Sequence, residues 1–301
     1  MSLAESRATY LQLKRMAKQQ AVVFQALLDQ YACERLLYRL STTPAGEDFV
    51  LKGAMMLVVW TGNRLRATRD MDLRGLGAPD IDATARAFRA ACMADSADGL
   101  VFDVAAIRTQ PIKFAASYTG VNLTIPCRLD KARLTCIVEV GFTDVITPDP
   151  TFVEYPSLLE HQPAARIKAY PIETTIAEKF SIMIELGQVN TRFKDYHDLW
   201  ALGARCGLSE RTLRPALERT FAQRRLPTPS PEDWILSSGA ISDARANQGW
   251  ETYRRKLIPT VDIGWEQIVM SISNLLGPVC ERWNAAQLGT RNWAPGTGWT
   301  T

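Results

Sequence analysis

Histidine is nearly absent from this chain: His161 and His197 are the only two in 301 residues. A zinc centre built on several histidines is therefore not expected. No apolar run approaches the roughly 20 residues that span a bilayer. The opening residues Met1-Ser2-Leu3-Ala4-Glu5-Ser6-Arg7 lack the apolar core of a secretion signal. The six cysteines, at 33, 92, 127, 136, 206 and 280, contain no C-x-x-C pair. They read as reduced and mostly buried thiols of a cytoplasmic protein with no membrane partner. Neither sign of charge is in excess: 35 Lys and Arg against 32 Asp and Glu leave a net charge of +3. That sum neither demands nor excludes nucleic acid, so the location of the charge matters more.

What is present is enough chain for a large core and two domains. Apolar residues at Val22, Val23, Ala26, Leu27, Tyr31, Leu36, Leu37 and Leu40 form a helical stripe within 21–40. A loop with Pro44 and Gly46 follows, then a strand over 49–51, a helix over 54–61 and a second strand over 70–74. A helix over 82–93 and strands over 100–109, 121–126 and 133–141 complete an α/β or α+β pattern. The second half is helical, with helices over 171–186, 192–204 and 209–221, the last with Ser209 as N-cap. A proline-rich connector begins at Leu226, further helices are expected over 249–257 and 265–283, and the tail from Pro295 is expected to fray. The predicted organisation is a mixed N-terminal domain over 1–160 and a helical domain over 161–301, joined around 156–170.

The chemistry concentrates in carboxylates. Asp70 and Asp72 stand in Arg66-Ala67-Thr68-Arg69-Asp70-Met71-Asp72-Leu73. Residues i and i+2 of a strand share a face, roughly 6.5–7 Å apart, and two carboxylates at that distance can hold hard divalent cations with phosphate oxygens between them. Upstream, Gly53 follows the apolar run Phe49-Val50-Leu51 and opens a helix. A strand ending in glycine at a helix start leaves backbone N–H groups free for an anion. A third carboxylate, Glu139, sits in the otherwise apolar strand Leu134–Gly141. Buried there, it needs a cation or a partner. It either lies beside Asp70 and Asp72 across the sheet, pairs with an arginine, or faces solvent from an edge.

In the helical half, Lys179 and Lys194 could clamp a triphosphate as point charges, with Asp198 or Asp195 orienting a lysine. The local alternative is an i,i+4 ion pair between Lys194 and Asp198 on a solvated helix face. His197 has no nucleophile beside it and reads as packing. Basic residues at Arg211, Arg214, Arg219, Arg224 and Arg225, and again at Arg254-Arg255-Lys256, could meet RNA phosphates or simply be solvated.

Taken in order, the motifs Leu51-Lys52-Gly53-Ala54-Met55-Met56-Leu57, Arg66 to Leu73, Val138-Glu139-Val140-Gly141-Phe142-Thr143-Asp144, Tyr170-Pro171-Ile172-Glu173, Ala177-Glu178-Lys179 and Phe193-Lys194-Asp195-Tyr196-His197-Asp198-Leu199 resemble the AbiEii/AbiGii-type nucleotidyltransferase toxins. The resemblance covers about residues 20–225. It implies an α+β fold with a DNA-polymerase-β-like nucleotidyltransferase core and a mixed sheet, followed by a mainly helical domain. It implies Mg²⁺ on Asp70, Asp72 and Glu139. It implies catalytic roles for these three with Lys179 and Asp198, and a nucleotide site of Gly53, Ala54, Arg66, Thr68, Lys179, Lys194 and Asp195. Transfer of a nucleoside monophosphate from an NTP to an acceptor hydroxyl follows, with a tRNA 3′ end as acceptor and an antitoxin from a neighbouring gene as partner. Alternatives are a protein or small-molecule acceptor, or a catalytically silent nucleotide-binding regulator. The chain departs from the pattern in carrying Ala54 where Gly-Ser is usual, Glu139 where Asp is usual, and no match to the C-terminal Asp…Lys motif.

Overall fold

The computed structural model of the chain describes residues 3–62, 68–114, 118–257, 261–283, 285–287 and 289–300. Two compact units are present: Met1–Val59, Arg66–Thr143 and Thr151–Ala169 form the first, and Trp60–Leu65, Asp144–Pro150 and Tyr170–Thr301 the second.

The helices and strands from the N-terminus are α1 (Leu3–Gln19), α2 (Phe24–Ser41), β1 (Phe49–Lys52), α3 (Met56–Thr61), β2 (Asp70–Gly75), α4 (Ile81–Met93), β3 (Leu100–Phe102), β4 (Arg108–Phe114), β5 (Tyr118–Leu129), β6 (Ala132–Gly141), β7 (Thr151–Tyr155) and β8 (Ala165–Ala169). The eight strands make one mixed sheet in the order β3-β5-β6-β2-β1-β8-β7, with β4 also pairing β5. β2 runs parallel to β6 and antiparallel to β1, and β1 runs parallel to β8. Along β2 the exposure alternates, with Met71 and Leu73 fully buried and Asp70, Asp72 and Arg74 on the other face. That is the period-2 pattern of a strand with one face on a core.

α2 packs against β6, β8 and α4, and is buried on nearly every side. Leu28, Tyr31, Leu36, Leu37 and Leu40 fill the core, while the same helix also buries Glu34, Arg35 and Arg39. Buried charge of this kind is tolerable only when paired and hydrogen-bonded. Arg39 meets that condition: Nε and Nη2 donate to the two Asp98 carboxylate oxygens at 2.8 and 2.7 Å, and the guanidinium also reaches the Cys92 and Leu100 carbonyls. The Tyr31 hydroxyl donates to the Asp98 carbonyl at 2.6 Å. Asp98 therefore ties α2 to the start of β3.

The second unit holds α5 (Ile172–Leu186), α6 (Phe193–Arg205), β9 (Leu208–Ser209), α7 (Glu210–Arg224), α8 (Ser238–Ile241), α9 (Ala244–Arg254), α10 (Trp265–Cys280), β10 (Asn292–Ala294) and β11 (Gly298–Thr300). Ser209 caps α7 as expected, its hydroxyl accepting from the Arg211 amide at 3.3 Å. α10 turns an apolar face, including Trp265, Ile268, Ile272, Leu275 and Leu276, into this unit's core.

Three expectations are corrected. The stretch read as one strand over 100–109 is two, β3 and β4, broken by a 3₁₀ turn at Val104–Ala106 in which the Asp103 carboxylate accepts from the Ala106 amide. The joint expected around 156–170 contains β8, an inner strand of the sheet between β1 and β7. Its signal was short, only Ala165, Ile167 and Ala169 alternating inward. The tail does not fray where it is described: β10 pairs with β9 and β11. Trp293 Nε1 donates to the Gly203 carbonyl at 2.7 Å and Trp299 Nε1 to that of Leu275 at 2.9 Å. Arg291 holds the buried Glu210 carboxylate at 2.7 Å. All six cysteines are buried and free.

Asp98→Ala leaves Arg39 as an unpaired buried cation. Its expected cost is about 3–5 kcal/mol of folding stability, read as a lower urea midpoint; a midpoint equal to that of the unaltered chain would show that the pair does not secure α2.

Candidate active site

The site begins at β2, flanked by β1 and β6. The register pairs Lys52 of β1 with Asp72. It pairs Asp72 with Glu139 of β6, and Glu139 with Asn122 of β5. Paired residues on neighbouring strands project to the same face, and strands lie about 4.8 Å apart. Lys52, Asp72, Glu139 and Asn122 therefore form one polar row across four strands, all half-buried. Asp70, two residues before Asp72, lies on the same face and is exposed. The Asn122 amide nitrogen approaches Glu139 Oε1 at 3.5 Å, the long limit of a hydrogen bond. Since β6 is flanked by β5 and β2, Glu139 is not at a sheet edge.

Gly53 follows β1 directly and has φ +71°, in the region that favours glycine. It is also a place of close approach. A Cβ there would stand 2.7 Å from the Cβ of Asp72 and collide with its carboxylate. The glycine thus serves two ends: it turns the chain out of the strand, and it leaves room for Asp72. The following turn is 3₁₀ over Gly53–Met55, and α3 is only six residues long. Anion binding here would rest on the amides of that turn, Ala54 included, since a helix this short sums few peptide dipoles. Thr68 spends its hydroxyl on the Asp70 carbonyl at 3.1 Å. Arg66 lies outside the described residues.

A second cluster is built within the other unit. Lys179 on α5 donates to Asp195 Oδ1 at 2.7 Å and reaches Asp198 Oδ2 at 2.8 Å, both on α6. The Arg192 Nε at the start of α6 holds the other Asp195 oxygen at 2.7 Å. Burial works against ionising Asp195, but Lys179 and Arg192 outweigh it and hold the carboxyl below the usual carboxylate range. The solvated i,i+4 pair considered for Lys194 and Asp198 is replaced by something different: Lys194 is exposed, whereas Asp198 is fully buried against Lys179. The reason is that α6 turns the Asp195 and Asp198 edge inward toward α5. His197 is fully buried too, with Nδ1 3.3 Å from Asp198 Oδ1 and the ring against Trp200 and Tyr253. Of the basic residues read as possible phosphate contacts, Arg214 is buried and bound to the Arg282 and Gln287 carbonyls.

The family model described as nucleotidyl transferase AbiEii toxin, type IV TA system, matches residues 35–271, most of the chain. The chain belongs to the AbiEii nucleotidyltransferase toxin family. This AbiEii-family chain is thus a nucleotidyltransferase of a type IV toxin–antitoxin family, with the mixed α+β fold described above. The crystal structure of JHP933 from Helicobacter pylori is 16% identical, covers 86% of this chain and 93% of its own, and superposes with a TM-score of 0.47. A second H. pylori structure, described as a candidate nucleotidyltransferase, is 15% identical over 88% of this chain and 99% of its own, with a TM-score of 0.48. Comparison with curated proteins finds no match.

Nucleotidyl transfer commonly uses a divalent metal. Among the described residues, no group of three or more His, Cys, Asp and Glu side chains stands close enough to hold a metal ion as placed. The donor type nevertheless suits Mg²⁺, because carboxylate oxygens on a partly exposed face are what a hard cation requires, and Asp70, Asp72 and Glu139 share that face.

Two outcomes are expected of the Lys179 cluster. Lys179→Met removes the ammonium shared by two buried carboxylates and lowers stability by about 3–5 kcal/mol, while Lys194→Met changes it by less than about 0.5 kcal/mol. Equal effects in chemical denaturation would dissolve the distinction. Because folded Asp195 resists protonation, its stabilising contribution is complete above the ordinary carboxyl value of 3.8 and is lost as pH falls through its lower folded value. Asp195→Asn should therefore flatten the decline of melting temperature with acid below that pH; an unchanged slope would refute the assignment.

Proposed function

We propose that this chain transfers a nucleoside monophosphate from an NTP to a hydroxyl of an RNA acceptor, a tRNA 3′ end, with pyrophosphate leaving, and that it acts as the toxin partner of an antitoxin. The observation that carries the reading is the register of β2 with β6. It sets Glu139 beside Asp72 with Asp70 on the same face, three carboxylates from segments almost seventy residues apart brought to one surface.

Asp70, Asp72 and Glu139 would hold Mg²⁺, which when bound would lower the pKa of the attacking hydroxyl and neutralise charge on the pyrophosphate. The chain's own groups do the rest. The amides of the Gly53-Ala54 turn bind phosphate oxygens near Asp72, whose carboxylate packs close against the turn because residue 53 has no side chain. Glu139, braced by Asn122, accepts the proton of the attacking hydroxyl at a carboxylate oxygen. Ala54 has no hydroxyl to offer, so positioning falls on backbone donors whose direction is set by the strand-to-turn geometry. In the second unit, Asp195 and Asp198 fix the ammonium of Lys179 as a point charge for a phosphate, and exposed Lys194 supplies a second, movable one.

The test is incubation of purified protein with radiolabelled NTPs, Mg²⁺ and total RNA. Label should enter the tRNA band. Asp72→Asn should reduce transfer at least about a hundredfold, in keeping with loss of a transition-state charge contact, without lowering the melting temperature. Label in protein or in a small molecule would move the acceptor to another class. Absence of transfer for every base would overturn the reading.

A further inference from the structure

The second unit contains a groove of about 510 Å³ that the reaction above does not use. One wall is a face of α9 and the turn after it. Arg245, then Gln248 and Gly249, then Thr252 and Tyr253, then Lys256 recur one turn apart, each residue three or four from one in the turn before, which places them on a single helix side. The other wall is the connector between α5 and α6, residues 188–191, with Phe193. At 1.5 Å per residue, Arg245 and Lys256 stand about 16 Å apart along the axis.

Three observations specify what fits. Both ends of the groove are cationic and exposed, and no described lining residue is a carboxylate. A neighbouring acid, Asp243, is committed as the N-cap of α9, accepting from the Arg245 and Ala246 amides at 2.9 and 3.0 Å and from Gln188 at 3.0 Å. Phe193 and Tyr253 are half-buried aromatic rings, one in each wall.

A compact anion would meet one cation and leave the other about 16 Å away. An extended polyanion meets both. We infer that this groove holds a single-stranded segment of RNA: phosphates at Arg245 and Lys256, base edges on the exposed amide side chains of Gln188 and Gln248, and bases against the aromatic walls. Cationic grooves interleaved with aromatic rings and sequence-tolerant hydrogen bonding are how single strands are held. An acidic peptide would satisfy the two cations but gives the rings no planar partner. The inference deepens the proposed function, since it rests on that reading for the use of RNA as the acceptor.

The experiment measures fluorescence anisotropy of a short fluorescein-labelled single-stranded RNA with the full chain, without NTP, across a salt series. Arg245→Ala/Lys256→Ala should weaken binding about tenfold or more and make the salt slope shallower by about 1.4, at about 0.7 per lost phosphate contact. Its melting temperature should be unchanged, since both side chains are exposed. Equal affinity and slope for the variant would overturn the inference. So would equally tight, equally Arg245- and Lys256-dependent binding of a labelled poly-glutamate peptide. NTP transfer is assayed on the same preparations. Groove-dependent RNA binding with no transfer would sink the catalytic reading and leave the groove; transfer with groove-independent binding would do the reverse.

Discussion

The arrangement of the first unit depends on one constraint, the strict alternation of β2 between two unlike neighbours. Met71 and Leu73 must face the core under α2 and α4, so Asp70 and Asp72 must face away from it. A slip of one residue would exchange the two sets and bury both carboxylates without partners, at a cost of several kcal/mol each. The apolar residues therefore determine where the acids point. The same alternation in β6 buries Val138 and Val140 and turns Glu139 to the face of Asp72. Core packing and site assembly are thus one choice of register.

Gly53 adds a second, local constraint to that register. Its positive φ and the proximity of Asp72 mean that the turn can approach the strand only because no side chain is present. Residue 54 carries no hydroxyl, so the polar groups this turn presents are backbone ones, which the 3₁₀ geometry orients. A rigid turn and a half-buried carboxylate in contact form a site whose shape precedes its ligand, the condition under which electrostatic stabilisation costs no reorganisation.

The second unit solves a different problem. Lys179, Asp195 and Asp198 form a nearly enclosed network between α5 and α6, with the exposed Arg192 closing it at the rim. Charges this buried stabilise a fold only when all are satisfied, and here the two aspartates are shared by two cations. The network holds the α5–α6 angle and, through Arg192, the end of the connector that carries Asn190 and Thr191 along the groove. On the far side of that connector, α9 presents its cations to solvent.

Much of this was legible in order along the chain. The Asp70/Asp72 spacing, the Gly53 turn, the apolar strand around Glu139, the helices α5 to α7 and the Ser209 cap all follow from local periodicity and turn chemistry, which short-range sterics and hydrogen bonding enforce. The strand β8 and the C-terminal hairpin were not legible. A five-residue strand has too few alternations to stand out, and the tail is ordered by distant carbonyls of Gly203 and Leu275 that no local pattern reveals. Nor could sequence spacing say which face of α6 is inward, so a solvated pair of Asp198 with Lys194 stayed open as an alternative until packing buried Asp198 against Lys179. The linear chain by itself determined which residues carry charge and which elements they ride on. Only tertiary packing decided which of those charges meet, because strand register and helix rotation are set by burying apolar surface contributed from the whole unit.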